Sequence, residues 1–203
     1  VRVFGHAAET RDDVAEALRA AGIAVFAESG ATGEREEELA RLFLAGGVEF
    51  LLDDGSHLIR MAHDPRRAPG ALESLVGAAE ETTSGLRALR AFPLRVPVVA
   101  SNDARSKTLF DNAYATGQSC LLTILDLIDP AARGVALWEQ RVAVVGYGDV
   151  GKGFARFAAA CLPPAAKMRA SSSMRVGTKC GTESPRSARI VANFFSIFAT
   201  FGM

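Results

Sequence analysis

A strand-like run that leads straight into closely spaced glycines constrains the fold of this chain most. Residues 140–145 read as a β-strand, and the sequence GYGDVGKG (residues 146–153) follows and opens an alanine-rich helix. In the spacing G-x-G-x-x-G, the first glycine allows a tight turn, the second lets a phosphate approach the backbone, and the third permits close helix–strand packing. The helix amino terminus would add unpaired N–H groups. The motif favours a Rossmann-type nucleotide site, with a glycine-rich turn that binds no nucleotide as the alternative.

The first half of the chain alternates strand-like and helix-like segments. Helices are predicted from Asp12 to Ala21 and over Glu34–Ala45, and the predicted strands are Ile23–Ala27, Val48–Leu52 and Val96–Ala100. This alternation indicates βαβ units and a mainly parallel sheet, which is the α/β class. Ligands bind at the carboxyl ends of such strands. The acidic pair that directly follows residue 52 is therefore a candidate for a site.

The second half of a dinucleotide site is not evident. A complete fingerprint places an acid about 20 residues further on, at the end of the next strand. Here the sequence reads PPAAKMRASSSMR, with no acid and no predicted strand, and Arg169 falls about where the acid is expected. The prolines after Cys161 break the preceding helix. Residues 161–203 are therefore predicted to be a disordered tail, and its abrupt onset is typical of a frameshifted or misassembled reading frame.

Composition excludes several classes of protein. With 49% hydrophobic residues the chain can build a packed core, and equal numbers of acidic and basic residues argue against a nucleic-acid partner. Residues 154–203 carry seven basic residues and one acidic residue, so a basic-tailed nucleic-acid-binding protein is an alternative, although the tail from residue 161 has no aromatic residue before Phe194. No apolar stretch is long enough to span a membrane. The three cysteines lack paired spacing, and the histidines lack a metal-ligand pattern, which predicts a cytoplasmic protein with no metal.

Four segments, each weak alone, together resemble the adenosylhomocysteinase family, the NAD-dependent S-adenosyl-L-homocysteine hydrolases. They are LLDDGSHL (residues 51–58), EETTSGL (80–86), SNDARSKTLFDNAYATGQS (101–119) and VAVVGYGDVGKG (142–153). They occur in the family's order and near its spacing, and the resemblance runs from about residue 9 to 155. Taken singly, the lysine and aspartate of SKTLFDN could be an exposed ion pair, and EETTS could be a helix start.

The resemblance implies roles for individual residues. The substrate-binding and catalytic set is Asp54, Glu81, Lys107 and Asp111, with the last two holding the ribose hydroxyls. The implied NAD contacts are Thr82, Thr83, Ser84, Asn112, Gly146, Gly148, Asp149, Val150, Gly151, Lys152 and Gly153. We expect the first four side chains to converge on one cleft.

The resemblance also implies a reaction. NAD takes a hydride from C3′ of the nucleoside ribose, the 3′-ketone acidifies C4′–H, homocysteine leaves C5′, water adds, and the hydride returns to give adenosine. The implied partners are S-adenosylhomocysteine and adenosine, with a homo-oligomer expected for the complete family protein. The implied organisation is a substrate-binding α/β domain (residues 1–118, incomplete at its N-terminus), the start of an NAD-binding Rossmann domain (119–160) and the tail (161–203).

The sequence also departs from the family pattern at positions that bear on the implied reaction. The family's upstream histidine-containing segment has no counterpart before Val1, His57 stands where many members have aspartate, and the resemblance stops after about Ala160. Thr116 occupies a position that is cysteine in some members. We therefore expect an incomplete chain that does not turn over substrate. The alternative is a catalytically inactive relative that binds nucleosides or regulates.

Overall fold

The computed structural model describes residues 1–131 and 141–161 of the chain, together with the backbone of residues 169–171 and 189–193. Helices and strands alternate, and every strand pair in this part of the chain is parallel. The predicted α/β class is confirmed. The described residues divide into two compact units between Ala104 and Arg105.

The first unit contains five short strands and five helices. The strands are β1 (Arg2–Phe4), β2 (Ala24–Phe26), β3 (Phe50–Asp53), β4 (Gly77–Glu80) and β5 (Val98–Ala100). The helices are α1 (Asp12–Ala20), α2 (Gly33–Leu44), α3 (His57–Ala62), α4 (Ala71–Ser74) and α5 (Thr83–Leu89), with 3-10 turns at Ala7–Glu9 and Ser101–Asp103. The bounds of α1, α2, β2, β3 and β5 lie within a few residues of the helices and strands predicted from periodicity.

Two parallel sheets organise this unit. Strand β1 pairs with β2, and the second sheet has the order β3-β4-β5. In the second sheet Asp53 lies opposite Glu80, and Glu80 lies opposite Ala100. The carboxyl ends of all three strands therefore meet at one edge, and each strand runs directly into the loop that follows it.

A single apolar core supports that edge. Helix α2 contributes Leu39, Ala40, Phe43 and Leu44, whose spacing of three to four residues puts them on one helical face. Helix α3 contributes Leu58, Ile59, Met61 and Ala62, and β3 contributes Leu51. Helix α3 starts four residues after β3 ends, so this packing also fixes the β3–α3 loop.

The second unit begins with a π-helical segment, Lys107–Ala115, that continues directly into α6 (Thr116–Ile128). Strand β6 (Arg141–Val145) then leads into α7 (Asp149–Cys161), and the further strands are β7 (Arg169–Ser171) and β8 (Arg189–Asn193). The sheet order is β7-β6-β8. Its core packs α6 and α7 against β6 through Leu121, Val142, Val144, Phe154, Ala155 and Ala158.

The strands β7 and β8 correct one expectation. The sequence predicted no strand around Arg169 and a disordered tail, which is wrong for residues 169–171 and 189–193. Strands β7 and β8 pair with the two edges of β6, whose backbone N–H and C=O groups would otherwise lack partners. Such backbone pairing depends little on the side chains of β7 and β8. The remainder of the predicted tail after Cys161 lies outside the described residues.

The boundary between the compact units also differs from the sequence-based division after residue 118. The π-helical segment packs on α6 and α7, so residues 105–118 group with the second unit. The assignment of substrate binding and cofactor binding to separate domains stays a prediction. Among the described helices, none is both long and apolar enough to cross a membrane.

Candidate functional site

Two neighbouring strands each end in two consecutive acids. Asp53 is the last residue of β3 and Asp54 follows it, while Glu80 is the last residue of β4 and Glu81 follows it. Successive side chains in a strand point to opposite faces. As a result Asp53 and Glu80 turn inward, with 7% and 0% of their surface exposed, whereas Asp54 and Glu81 are exposed.

The inner acids bind the backbone of the loops that follow the strands. Asp53 Oδ2 accepts a hydrogen bond from the amide of Ile59 at 2.8 Å, and its Oδ1 accepts one from the amide of Asp54 at 3.1 Å. Glu80 accepts hydrogen bonds from the Gly55, Ser56 and Thr82 amides. The family resemblance did not indicate these two residues. Their signal in the sequence is that each is the first acid of a pair at a buried strand end.

The outer acid Asp54 has the chemistry of a proton carrier. Partial burial of its carboxyl group, together with the negative charges of Glu81 and Glu9, raises the pKa of Asp54 to about 6. A carboxyl group with a pKa near neutrality populates both protonation states at physiological pH. Asp54 can therefore accept or release a proton without leaving its place at the end of β3.

The three hydroxyl residues after Glu81 have different surroundings. The Thr82 oxygen caps α5 by accepting from the amide of Gly85 at 3.1 Å, and it donates to Glu80 Oε1 at 2.6 Å. The exposed Thr83 donates to Asn102 Oδ1 across a longer 3.4 Å. Ser84 is also exposed and only loosely engaged, at 3.4 Å from the Thr82 oxygen. Of the three implied NAD contacts, Thr83 and Ser84 have side chains that are open to a ligand.

His57 stands where the family pattern predicted an aspartate. It packs in a cluster with His6 and Arg67. Its ring stacks on His6 with centroids 5.3 Å apart, and its Nε2 lies 3.2 Å from a guanidinium nitrogen of Arg67. Burial lowers the pKa of His57, and the positive charges of His6 and Arg67 lower it further. His57 is therefore neutral at physiological pH, with its Nε2 close to Arg67 and 3.8 Å from Glu37 Oε2.

In the second unit, the lysine and aspartate of the SKTLFDN motif form an ion pair. Lys107 Nζ lies 3.3 Å from Asp111 Oδ2 and donates to Asn112 Oδ1 at 2.9 Å. Asn112 is buried, whereas half of the Asp111 side chain is exposed. All three stand on the π-helical segment, a geometry found often at functional sites. The pair thus presents a charged, partly exposed surface on a rigid element.

The glycine loop after β6 shows the three separate glycine roles expected of the fingerprint. Gly146 has a φ of +93°, a backbone conformation that residues with a side chain rarely adopt. A Cβ placed on Gly148 would meet no atom within 4 Å. A Cβ on Gly151 would overlap the Gly146 carbonyl, and one on Gly153 would overlap the Ala113 carbonyl. The first glycine makes the turn, the second leaves open space, and the last two allow close packing.

The sheet order places this loop where nucleotides bind in doubly wound sheets. Strand β6 has β7 on one side and β8 on the other, so the loop follows the strand at which the order reverses. The amino terminus of α7 points its first turn at this loop, with Asp149 exposed and Lys152 Nζ 3.9 Å from Asp149 Oδ1. The loop and helix fit a diphosphate, but the described residues of β7, Arg-Ala-Ser, offer no acid for a ribose.

By its strand order and glycine loop, the second unit has a Rossmann-type α/β arrangement. Over 154 residues the chain is 42% identical to the adenosylhomocysteinase of Thermotoga maritima, a match that covers 74% of this chain and 36% of that protein. It is 39% identical over 151 residues to the S-inosyl-L-homocysteine hydrolase of Methanopyrus kandleri, covering 72% of this chain and 34% of the relative. Over the part that matches, the chain is similar to the adenosylhomocysteinases, as the sequence motifs predicted.

The similarity covers only part of the relatives, and the other comparisons add no closer assignment. The chain spans about a third of the length of the relatives it matches. No family model matches it. A solved dehydrogenase from Rhizobium meliloti covers 95% of the chain at 15% identity with a TM-score of 0.33, a likeness too low to support an inference. The predicted resemblance is confirmed, while the roles of the individual residues stay predictions.

Proposed function

We propose that this chain carries nucleoside-binding and NAD-binding residues of an S-adenosylhomocysteine hydrolase. The observation that supports the proposal most is the pair Asp54 and Glu81, exposed at the ends of adjacent parallel strands, with the pKa of Asp54 raised to about 6. The names of the relatives supply the substrate class, and the geometry supplies a reason for these residue types to stand there.

In this proposal the outer acids serve the nucleoside. Carboxylates accept hydrogen bonds from ribose hydroxyls or from an exocyclic amine. Because Asp54 titrates near neutrality, it can also hold a proton that the substrate releases and return it later. Glu81, whose negative charge helps to raise the pKa of Asp54, maintains that property as well as offering a second acceptor.

The residues of the second unit have complementary tasks. The Lys107 ammonium group donates a hydrogen bond to a ribose hydroxyl, while Asp111 and Asn112 orient that ammonium group. The open backbone at Gly148 and the amino terminus of α7 hold a diphosphate. NAD, when bound, supplies the hydride acceptor and donor for C3′ of the ribose.

Calorimetry with adenosine tests the proposal. We expect the 203-residue chain to bind adenosine, and Asp54→Asn to weaken binding at least tenfold, a change of about 1.4 kcal/mol. Asp126→Asn, at an exposed position on α6, is the matched control and should bind normally. Inosine in parallel titrations distinguishes the two substrate classes named among the relatives. Equal binding by Asp54→Asn and the control variant would exclude the proposed role of Asp54.

A further inference from the structure

The carboxylate of Glu80 lies at the centre of the loops that carry Asp54 and Glu81. It is fully buried. From the β3–α3 loop it accepts hydrogen bonds from the Gly55 amide at 2.9 Å and the Ser56 amide at 2.8 Å. From the residue after Glu81 it accepts the Thr82 amide at 2.9 Å and the Thr82 hydroxyl at 2.6 Å. One side chain thus joins the loops of two adjacent strands.

We propose that Glu80 is a positioning residue, whose buried carboxylate clamps the β3 and β4 loops together and thereby sets the placement of Asp54 and Glu81. The proposal rests on the proposed function for its consequence in ligand binding. Its structural content, a clamp between two loops, is independent of any ligand.

The backbone conformation explains why an anion is needed at this point. Gly55 has a φ of +88°, and Ser56 has a φ of +62°, where a side chain is disfavoured. In this turn the Gly55 and Ser56 N–H groups both point at the Glu80 carboxylate and so form a cradle that favours an anion. The Glu80 carboxylate fills that cradle from within the protein, and its hydrogen bonds offset the strain at Ser56.

The surroundings of Glu80 require a carboxylate rather than an amide. Every group within hydrogen-bond distance of its two oxygens is a donor, with three donors at Oε1 and the Ser56 amide at Oε2. An amide in place of the carboxyl would turn an N–H group toward one of these donors and leave it unsatisfied. Gly85 completes the pocket, because a Cβ there would overlap the Glu80 carboxyl. Helix α5 can therefore approach the carboxylate this closely only with glycine at position 85.

The clamp acts on the outer acids through the backbone. Asp54 immediately precedes Gly55, and Glu81 immediately precedes Thr82, so both outer acids are joined covalently to residues that Glu80 holds. The Glu81 amide also donates to the Asp53 carbonyl at 3.1 Å across the strands. The negative charge of Glu80 contributes to the raised pKa of Asp54 as well. Removal of the carboxylate should therefore change both the position and the titration of Asp54.

The test compares Glu80→Gln with Glu73→Gln, a control at an exposed position on α4 of the same unit. We expect Glu80→Gln to bind adenosine at least tenfold more weakly and to lower the pKa of Asp54, followed by carboxyl NMR, while Glu73→Gln changes neither. A folded Glu80→Gln chain with unchanged Asp54 titration would overturn the proposal. If the wild-type chain binds no adenosine, the proposed function fails, but protection of the Gly55 and Ser56 amides still tests the clamp.

A measurement on the wild-type chain covers the case in which Glu80→Gln does not fold. Hydrogen exchange should show the Gly55 and Ser56 amides protected, because both are bound to a buried carboxylate. The amide of Arg11, which has no hydrogen-bond partner among the described residues, serves as the unprotected comparison within the same unit. Exchange of the Gly55 and Ser56 amides as fast as that of Arg11 would show that Glu80 does not hold the turn.

Discussion

Asp53 and Glu80 lie opposite each other in the parallel register of β3 and β4, and both carboxyl groups turn away from solvent to bind loop backbone. Burial raises the pKa of Asp53, and the neighbouring charge of Glu80 raises it further. The inner pair thus stabilises the loops, and the outer pair, one residue further along each strand, is left free for chemistry. A two-residue acidic motif at a strand end can combine both tasks because alternate side chains face opposite ways.

Because the pKa of Asp54 is raised, its charged form should destabilise the folded chain, and replacing Asp54 by a neutral residue should relieve this. Its pKa of about 6 in the folded chain exceeds the value of roughly 3.9 in an unfolded chain, so folding binds a proton between these pH values. Stability attributable to this group therefore falls as pH rises from about 4 to about 6. Because Asp54 is exposed, we expect Asp54→Asn to stabilise the chain by at most about 1 kcal/mol at pH 7. Urea unfolding at pH 7 and pH 4 checks this, and the same gain at both values would contradict it.

Glu81 is expected to control the titration of Asp54. Its charge is the largest electrostatic contribution to the raised pKa of Asp54 after the partial burial of the carboxyl group. Glu81→Gln should therefore lower that pKa, and carboxyl NMR titration measures the change. Glu49→Gln, at an exposed position just before β3, is the control and should leave the Asp54 titration in place. A shift of equal size in both variants would show a general effect of charge rather than one from Glu81.

Ser56 is expected to limit the stability of the site. It combines a positive φ of 62° with a buried hydroxyl that has no hydrogen-bond partner within the described chain. Both features are unfavourable, so Ser56→Gly should stabilise the chain by about 1 kcal/mol in urea unfolding. Ser56→Ala removes only the hydroxyl and keeps the strained backbone, and its gain should be smaller. A loss of stability in Ser56→Gly would mean that the serine packs favourably enough to outweigh both costs.

The glycine loop predicts different effects for two similar substitutions. Gly148→Ala places its Cβ in open space and should leave stability unchanged while weakening binding of a diphosphate nucleotide. Gly151→Ala drives its Cβ into the Gly146 carbonyl and should destabilise the unit by several kcal/mol, about 3 or more, before any effect on ligands is considered. Thermal unfolding and NAD calorimetry separate the two results. Comparable stability of both variants would show that the loop does not pack as described.

The same loop sets an expectation for NAD affinity. It offers diphosphate contacts, while the described part of β7 offers no acid for the ribose. We expect the 203-residue chain to bind NAD more weakly than a Kd of about 1 µM, equivalent to about 8.2 kcal/mol. Tighter binding in calorimetry would mean that residues outside the described chain complete the ribose site.

Much of the fold could be predicted because its signals are local. The spacing of apolar residues in α2 and the glycines at 146, 148 and 151 each define a short element without help from distant residues. The class of fold and the position of Asp54 at a strand end follow from these local patterns. The family resemblance added the substrate-side residues, whose roles no local pattern defines.

Other features depend on contacts between distant residues, which spacing does not encode. Glu80 binds Gly55 and Ser56 across 25 and 24 positions, and His57 stacks on His6 across 51 residues of sequence. Strands β7 and β8 are held by backbone pairing with β6 and have no apolar period of their own. The convergence of Asp54 and Glu81 with Lys107 and Asp111 stays a prediction, since the two pairs belong to different compact units.

The most direct test of the account is to map adenosine on the 203-residue chain by amide chemical-shift changes in NMR. If the outer acids of β3 and β4 bind the nucleoside, the largest changes in the first unit fall on residues 54–55 and 81–84, at the carboxyl ends of the two strands. They should disappear in Asp54→Asn and persist in Asp126→Asn. Saturable changes confined to other parts of the first unit, or none at any soluble concentration of adenosine, would contradict the central claim.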